Sequence, residues 1–252
     1  EYLSRVELAY DEATNEIVAP TFRHDIFRTA DIAEEVARFY GYDNIPTTLP
    51  SGEATTGKLP FKLRIEEVAR DVAEYCGFSQ GYCYSFESPK VFDKLQIPAE
   101  DELRKAITIS NPLGEDFSIM RTISLNGMLT SLATNYNRRN KNVRLYELGN
   151  VYLPKSLPLT ELPDERMMFT LGMYGDGDFF DMKGVVEEFF DQIGMHKKTE
   201  YDPKAGKTFL HPGRQALISY EGEVMGYLGE VHPAVADTYG IGTRASVAVL
   251  DI

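Results

Sequence analysis

Apolar positions recur along this chain with two periods, and the periods divide it into helices and strands. Ile32, Val36, Phe39 and Tyr40 make a stripe at helical spacing. Asp31 stands where a capping residue would, Glu34 follows three positions later as in a capping box, and Gly41 ends the run. A second helix is expected over 61–76, with Ile65, Val68, Val72 and Tyr75 inward and Gly77 at its end. Further helices are expected over 125–137, 180–193 and 233–239, and a short one after Ser88-Pro89. Alternating or continuous apolar runs predict strands at 6–9, 16–20, 81–86, 106–109, 143–153, 166–174, 214–220, 224–231 and 246–252. The pair at 214–220 and 224–231 flanks Glu221-Gly222-Glu223 and reads as a hairpin.

Strands joined directly by hairpins, with helices bunched between them, predict an α+β fold with a mainly antiparallel sheet. The Thr-, Gly- and Pro-rich stretch 46–60 reads as a linker. The expected organisation is therefore a small helix-strand domain over 1–49, a linker over 50–60 and a larger domain over 61–252. The chain opens at Glu1 and stops after a strand-like run, which reads as an excised fragment.

Composition narrows the function classes. With 43% hydrophobic and 26% charged residues the chain can bury a core like an ordinary globular protein. No apolar stretch approaches the roughly 20 residues of a membrane span, and no export leader opens it, so a cytoplasmic location is expected. A net charge of −13 argues against gripping DNA or RNA by electrostatics alone. Cys76 and Cys83 read as reduced thiols, and two cysteines with four scattered histidines give no zinc spacing.

Two runs carry a family resemblance. Val18-Ala19-Pro20-Thr21-Phe22-Arg23-His24-Asp25, followed by the run from Asp31-Ile32-Ala33-Glu34-Glu35 to Asn44-Ile45-Pro46, resembles the small domain preceding the synthetase-like module of the phenylalanyl-tRNA synthetase β subunit, bacterial type. Ile109-Ser110-Asn111-Pro112-Leu113, Met120-Arg121-Thr122-Ile123-Ser124-Leu125, Asn135-Tyr136-Asn137-Arg138-Arg139 and Leu145-Tyr146-Glu147-Leu148-Gly149 resemble the module itself. Leu210-His211-Pro212-Gly213-Arg214 and Gly229-Glu230-Val231-His232-Pro233 agree.

The resemblance implies a class II synthetase-like module without its own chemistry. In the family, two α and two β subunits assemble, and the α subunit binds ATP and phenylalanine. The β subunit serves tRNA(Phe) binding, editing and assembly. The editing and anticodon-binding parts lie outside the segment this chain resembles. ATP is then used by the parent ligase and not bound here. Neither a GxGxGxER run nor a Walker-type loop occurs. Arg121 and Arg144 are relics of nucleotide-binding arginines or ordinary salt-bridging residues. A synthetase-like paralogue acting as an adaptor or metabolite-binding protein would share the fold.

Asp25, Asp31, Glu34 and Glu35 form the sharpest chemical cluster. Positions 31, 34 and 35 share a helix face, and Asp25 lies in the loop before it. Like charges this close need solvent, protons, arginines or a cation. The resemblance implies a Mg²⁺ site shared with the α subunit. The alternative is a capping box with pairing to Arg23, Arg28 and Arg38.

Other features have plainer readings. Tyr82, Tyr84 and Phe86 alternate with small residues and are expected to face the core. Asn137 to Lys141 is a basic run at a helix end. His211 and His232 each precede proline, which points to a turn or helix start instead of catalysis.

Overall fold

The computed structural model describes residues 1–54 and 56–252. The chain forms two compact units, Glu1–Gly57 and Lys58–Ile252.

The first unit holds a 3-10 turn at Leu3–Val6, a hairpin of β1 (Ala9–Asp11) and β2 (Glu16–Val18), and helix α1 (Thr29–Tyr40). The strand expected at 6–9 lies further along. Glu7 adopts a left-handed backbone that caps the 3-10 turn and drops Leu8 into the interior, so pairing starts only at Ala9. Helix α1 starts two residues before Asp31. Residues 46–60 contain no helix or strand among the described residues.

The second unit is built on a seven-stranded sheet, in the order β3-β6-β7-β11-β10-β9-β8. The strands are β3 (Ser79–Gln80), β6 (Val143–Leu153), β7 (Asp164–Tyr174), β8 (Thr199–Asp202), β9 (Leu210–Tyr220), β10 (Glu223–Val231) and β11 (Ala245–Asp251). All pairs are antiparallel except β3 with β6. The α+β architecture matches the hydrophobic pattern.

Alternation along these strands decides what packs where. Tyr146, Phe169, Leu171, Ala248 and Leu250 lie in register on one face, in a core completed by α2 (Phe61–Tyr75) and α5 (Phe179–Gln192). Val143, Tyr174, Val247 and Val249 lie on the other face, with α4 (Leu125–Asn137) and α6 (Pro233–Tyr239). Gly172 lets α4 approach closely, because a Cβ there would sit 2.6 Å from Met128. Asp178 caps α5 by accepting hydrogen bonds from the Phe180 and Asp181 amides.

Two expected strands are shorter or absent. Residues 81–85 form no regular strand. After β3, pairing resumes only at β4 (Phe86–Glu87), which meets β5 (Ile119–Met120). The stretch 106–109 contributes a single bridge, Thr108 to Ile119. The short helix after Ser88-Pro89 is α3 (Val91–Lys94).

Candidate functional site

Of the four carboxylates expected to gather around a cation, Asp25 and Glu35 are held by arginines and Asp31 by backbone amides. Arg23 donates from Nε to Asp25 Oδ1 at 2.9 Å and from Nη2 to Asp25 Oδ2 at 2.6 Å. The same Nη2 donates to Glu35 Oε1 at 2.8 Å, and Arg38 Nη2 reaches Glu35 Oε2 at 2.5 Å. The hydrogen bond from Arg23 holds Asp25 down at about 2, and those from Arg38 and Arg23 hold Glu35 below the usual carboxylate range.

Asp31 is three residues into α1 and is not its N-cap. Its Oδ2 accepts the Phe27 and Arg28 amides, both at 2.7 Å, and these bonds lower its pKa. The expected capping box with Glu34 is therefore displaced by three positions, and Glu34 is exposed. Among the described residues no group of three or more His, Cys, Asp and Glu side chains is arranged to hold a metal. Asp25 and Glu35 spend their oxygens on guanidinium groups, so the four residues do not fit a metal ion held by this chain alone.

The two arginines that could echo a nucleotide site are tied to protein partners. Arg121 is 2% exposed and Glu147 4%, and Arg121 Nη1 donates to Glu147 Oε1 at 2.9 Å. Arg121 Nε donates to the Asn150 carbonyl at 2.7 Å. Gly149 makes room for this pair, since a Cβ there would stand 2.2 Å from Arg121 Nη2. Arg144 donates to the Cys76 carbonyl at 3.2 Å and lies 3.5 Å from Asp176. These are the contacts of salt-bridging, chain-tying residues.

The histidines and cysteines also have structural partners. His211 Nδ1 accepts the Gly213 amide and His232 Nδ1 accepts the Ala234 amide at the start of α6, as a turn and a helix start require. Cys76 and Cys83 are free thiols, and burial pushes Cys83 up to about 11. The basic run ends α4 in the open, with Arg139 in a left-handed conformation.

The aromatic alternation runs opposite to expectation. Tyr82 is 86% exposed and Tyr84 74% exposed, and it is the small residues between them that face inward. The cause is α4: a Cβ on Gly127 would be 2.6 Å from Cys83 Cβ, so only small side chains fit there. The tyrosines instead border a surface cleft of about 500 Å³ that Phe86, Glu87, Asn126 and Phe117 also line. Glu87 is 4% exposed, and burial raises its carboxyl to about 7. No local pattern marks this residue, because its burial depends on α4, which follows it by nearly forty positions.

Two family models match in tandem: the tRNA synthetase B5 domain over residues 1–42, and the phenylalanyl tRNA synthetase beta chain CLM domain over residues 45–252. The phenylalanine–tRNA ligase beta subunit of Clostridium acetobutylicum is 44% identical over 255 residues, covering 100% of this chain and 32% of that protein. The Clostridium tetani counterpart is 41% identical over 254 residues, again covering 100% and 32%. The chain thus spans about a third of the length of these relatives. Among solved structures, the pyrrolysyl-tRNA synthetase of Desulfitobacterium hafniense superposes with a TM-score of 0.61 at 14% identity, covering 76% of this chain and 67% of that one. That likeness concerns the fold, a class II synthetase sheet with flanking helices.

Proposed function

This chain belongs to the phenylalanyl-tRNA synthetase beta-chain family, and from that premise we propose that it is a non-catalytic scaffold within a phenylalanine–tRNA ligase. Its work is to hold the catalytic α subunit and to help position tRNA(Phe), while ATP and phenylalanine are handled on the α subunit. The parent assembly is a cytoplasmic heterotetramer of two α and two β subunits. One observation carries the reading above the others. The chain has a class II synthetase sheet, yet Arg121, its most deeply buried guanidinium, is spent on Glu147 and the Asn150 carbonyl and has no free face for a phosphate.

The larger unit, Lys58–Ile252, corresponds in this reading to the synthetase-like module, and Glu1–Gly57 to the end of the preceding small domain. The test is co-expression of the full-length β chain with a cognate α subunit, followed by phenylalanylation of tRNA(Phe). Activity only when both are present supports the reading. Activity of the α subunit alone, or amino-acid activation by the β chain alone, overturns it.

A cation belongs to the same proposal as a shared site. Asp31 Oδ1 and the exposed Glu34 carboxylate are hard oxygen donors suited to Mg²⁺, with Asp25 and Glu35 beside them and the remaining ligands supplied by the α subunit. Mg²⁺ titration of the αβ complex, compared with complexes carrying Asp31→Ala and Glu34→Ala, tests it. Glu34 makes no helix-capping bond, so that variant separates metal loss from helix fraying. Equal occupancy in all three complexes overturns the shared site.

A further inference from the structure

The cleft beside Tyr82 and Tyr84 has an acid at its base that the fold leaves half-satisfied. Glu87 Oε1 accepts a hydrogen bond from Asn126 Nδ2 at 2.8 Å. Tyr239 Oη donates to Asn126 Oδ1 at 2.7 Å, which fixes the orientation of that amide. Glu87 Oε2 is buried and has no partner among the described residues. A buried acceptor left unmade is costly, and so is a buried carboxylate without a countercharge. Arg121, whose charge reaches Glu87, is already committed to Glu147.

The walls and rim complete the chemistry. Tyr84 and Phe117 meet edge to face with centroids 5.7 Å apart, and Tyr82 stands exposed beside them. At the rim Lys94 and Asp116 offset each other, which leaves the half-satisfied Glu87 carboxyl as the acid that a bound cation would ionise. Aromatic faces around an uncompensated carboxylate are the recognition elements of an organic cation. A planar guanidinium suits them better than an ammonium, because it stacks on rings while donating along its edge. Exposed tyrosines around a shallow, open cleft are also the composition of a protein interface, in which tyrosine and arginine dominate the binding energy.

We propose that this cleft receives an arginine side chain from a partner polypeptide, its guanidinium donating to Glu87 Oε2 and stacking against Tyr82 or Tyr84. The inference rests on the scaffold reading for the partner's identity alone, which makes the α subunit the supplier.

Two measurements separate the ideas. In the first, argininamide is titrated into the purified chain while the ring resonances of Tyr82 and Tyr84 are followed by NMR. Saturable shifts are expected in the wild type, with binding weakened roughly tenfold or more in Glu87→Gln, and weaker binding of lysinamide. Glu87→Gln keeps the volume and the Asn126 contact, and thermal melting confirms that it folds. Tyr84→Ala, altered on the surface, is a second variant expected to lose affinity. No saturable shift in the wild type, or equal binding to Glu87→Gln, overturns the inference. In the second, association of the full-length β chain with the α subunit is measured for the same variants. Loss of roughly tenfold or more in both supports the α subunit as supplier. Unchanged association in both variants refutes that pairing. Failure of even the wild type to associate would instead sink the scaffold reading and leave the argininamide result standing.

Discussion

Replacing Arg121 by Met is the sharpest test of how this module is held together. The substitution keeps most of the buried volume but removes the donors to Glu147 Oε1 and to the Asn150 carbonyl. Glu147 then remains 4% exposed with no countercharge, and its Oε2 already lacks a partner. Breaking a buried pair from one side costs about 3–5 kcal/mol. For a unit of this size each kcal/mol lowers the melting temperature by about 2–4 °C, so a fall of roughly 6–20 °C is expected. The assay is urea unfolding followed by tyrosine near-ultraviolet circular dichroism, with a thermal melt beside it. The double variant Arg121→Met/Glu147→Leu removes both charges and is expected to recover most of the loss. A single variant within about 1 kcal/mol of wild type would refute the reasoning. So would a double variant no more stable than the single.

Three further outcomes follow from the same geometry. Gly149→Ala would place a Cβ 2.2 Å from Arg121 Nη2, so it is expected to cost about 1–3 kcal/mol and to be far less than additive with Arg121→Met in the same unfolding assay. Glu87 is raised by burial from 4.5 to about 7 in the folded chain, with Arg121, Glu147, Asn126 and Tyr239 the polar groups nearest it. Its native state therefore holds a proton that the unfolded chain releases, and stability declines as pH rises from about 4.5 to about 7. Glu87→Gln is expected to flatten that slope and to gain on the order of 3 kcal/mol above pH 7, read by urea midpoints across the range. Arg23→Ala is expected to return the Asp25 carboxyl from about 2 towards 3.8, seen by NMR titration. The stability that this pairing gives is present above the ordinary carboxylate range and is lost as pH falls towards 2.

Where the sequence was legible, one physical rule governed many consecutive residues. Strands β6, β7, β9 and β10 each run nine to eleven residues in a sheet with helices against both faces, so their apolar patterns are long and unambiguous. The segment 81–85 misled because its alternation is real but reversed. Gly127 on α4 sits so close that Cys83 fills the inward space, and the tyrosines turn out. Strands β3, β4 and β5 pair over two residues each, too few for any period to register. Asp31 reads as a cap three positions from the true one, because an acid three residues inside a helix reaches back to the same orphan amides that a true cap serves. The partners of Arg121 and Glu87 lie 26 and 39 positions away, and no local pattern could have joined them.

The outer margin of the large sheet has a consequence for how copies of this chain avoid one another. Strand β8 is only four residues long, and two of them, Glu200 and Asp202, point their carboxylates into water. A foreign strand seeking to extend the sheet there would find a docking line only four residues long with two exposed carboxylates on it. The acid-rich tip thus acts as a fence against fibre-like growth from this edge.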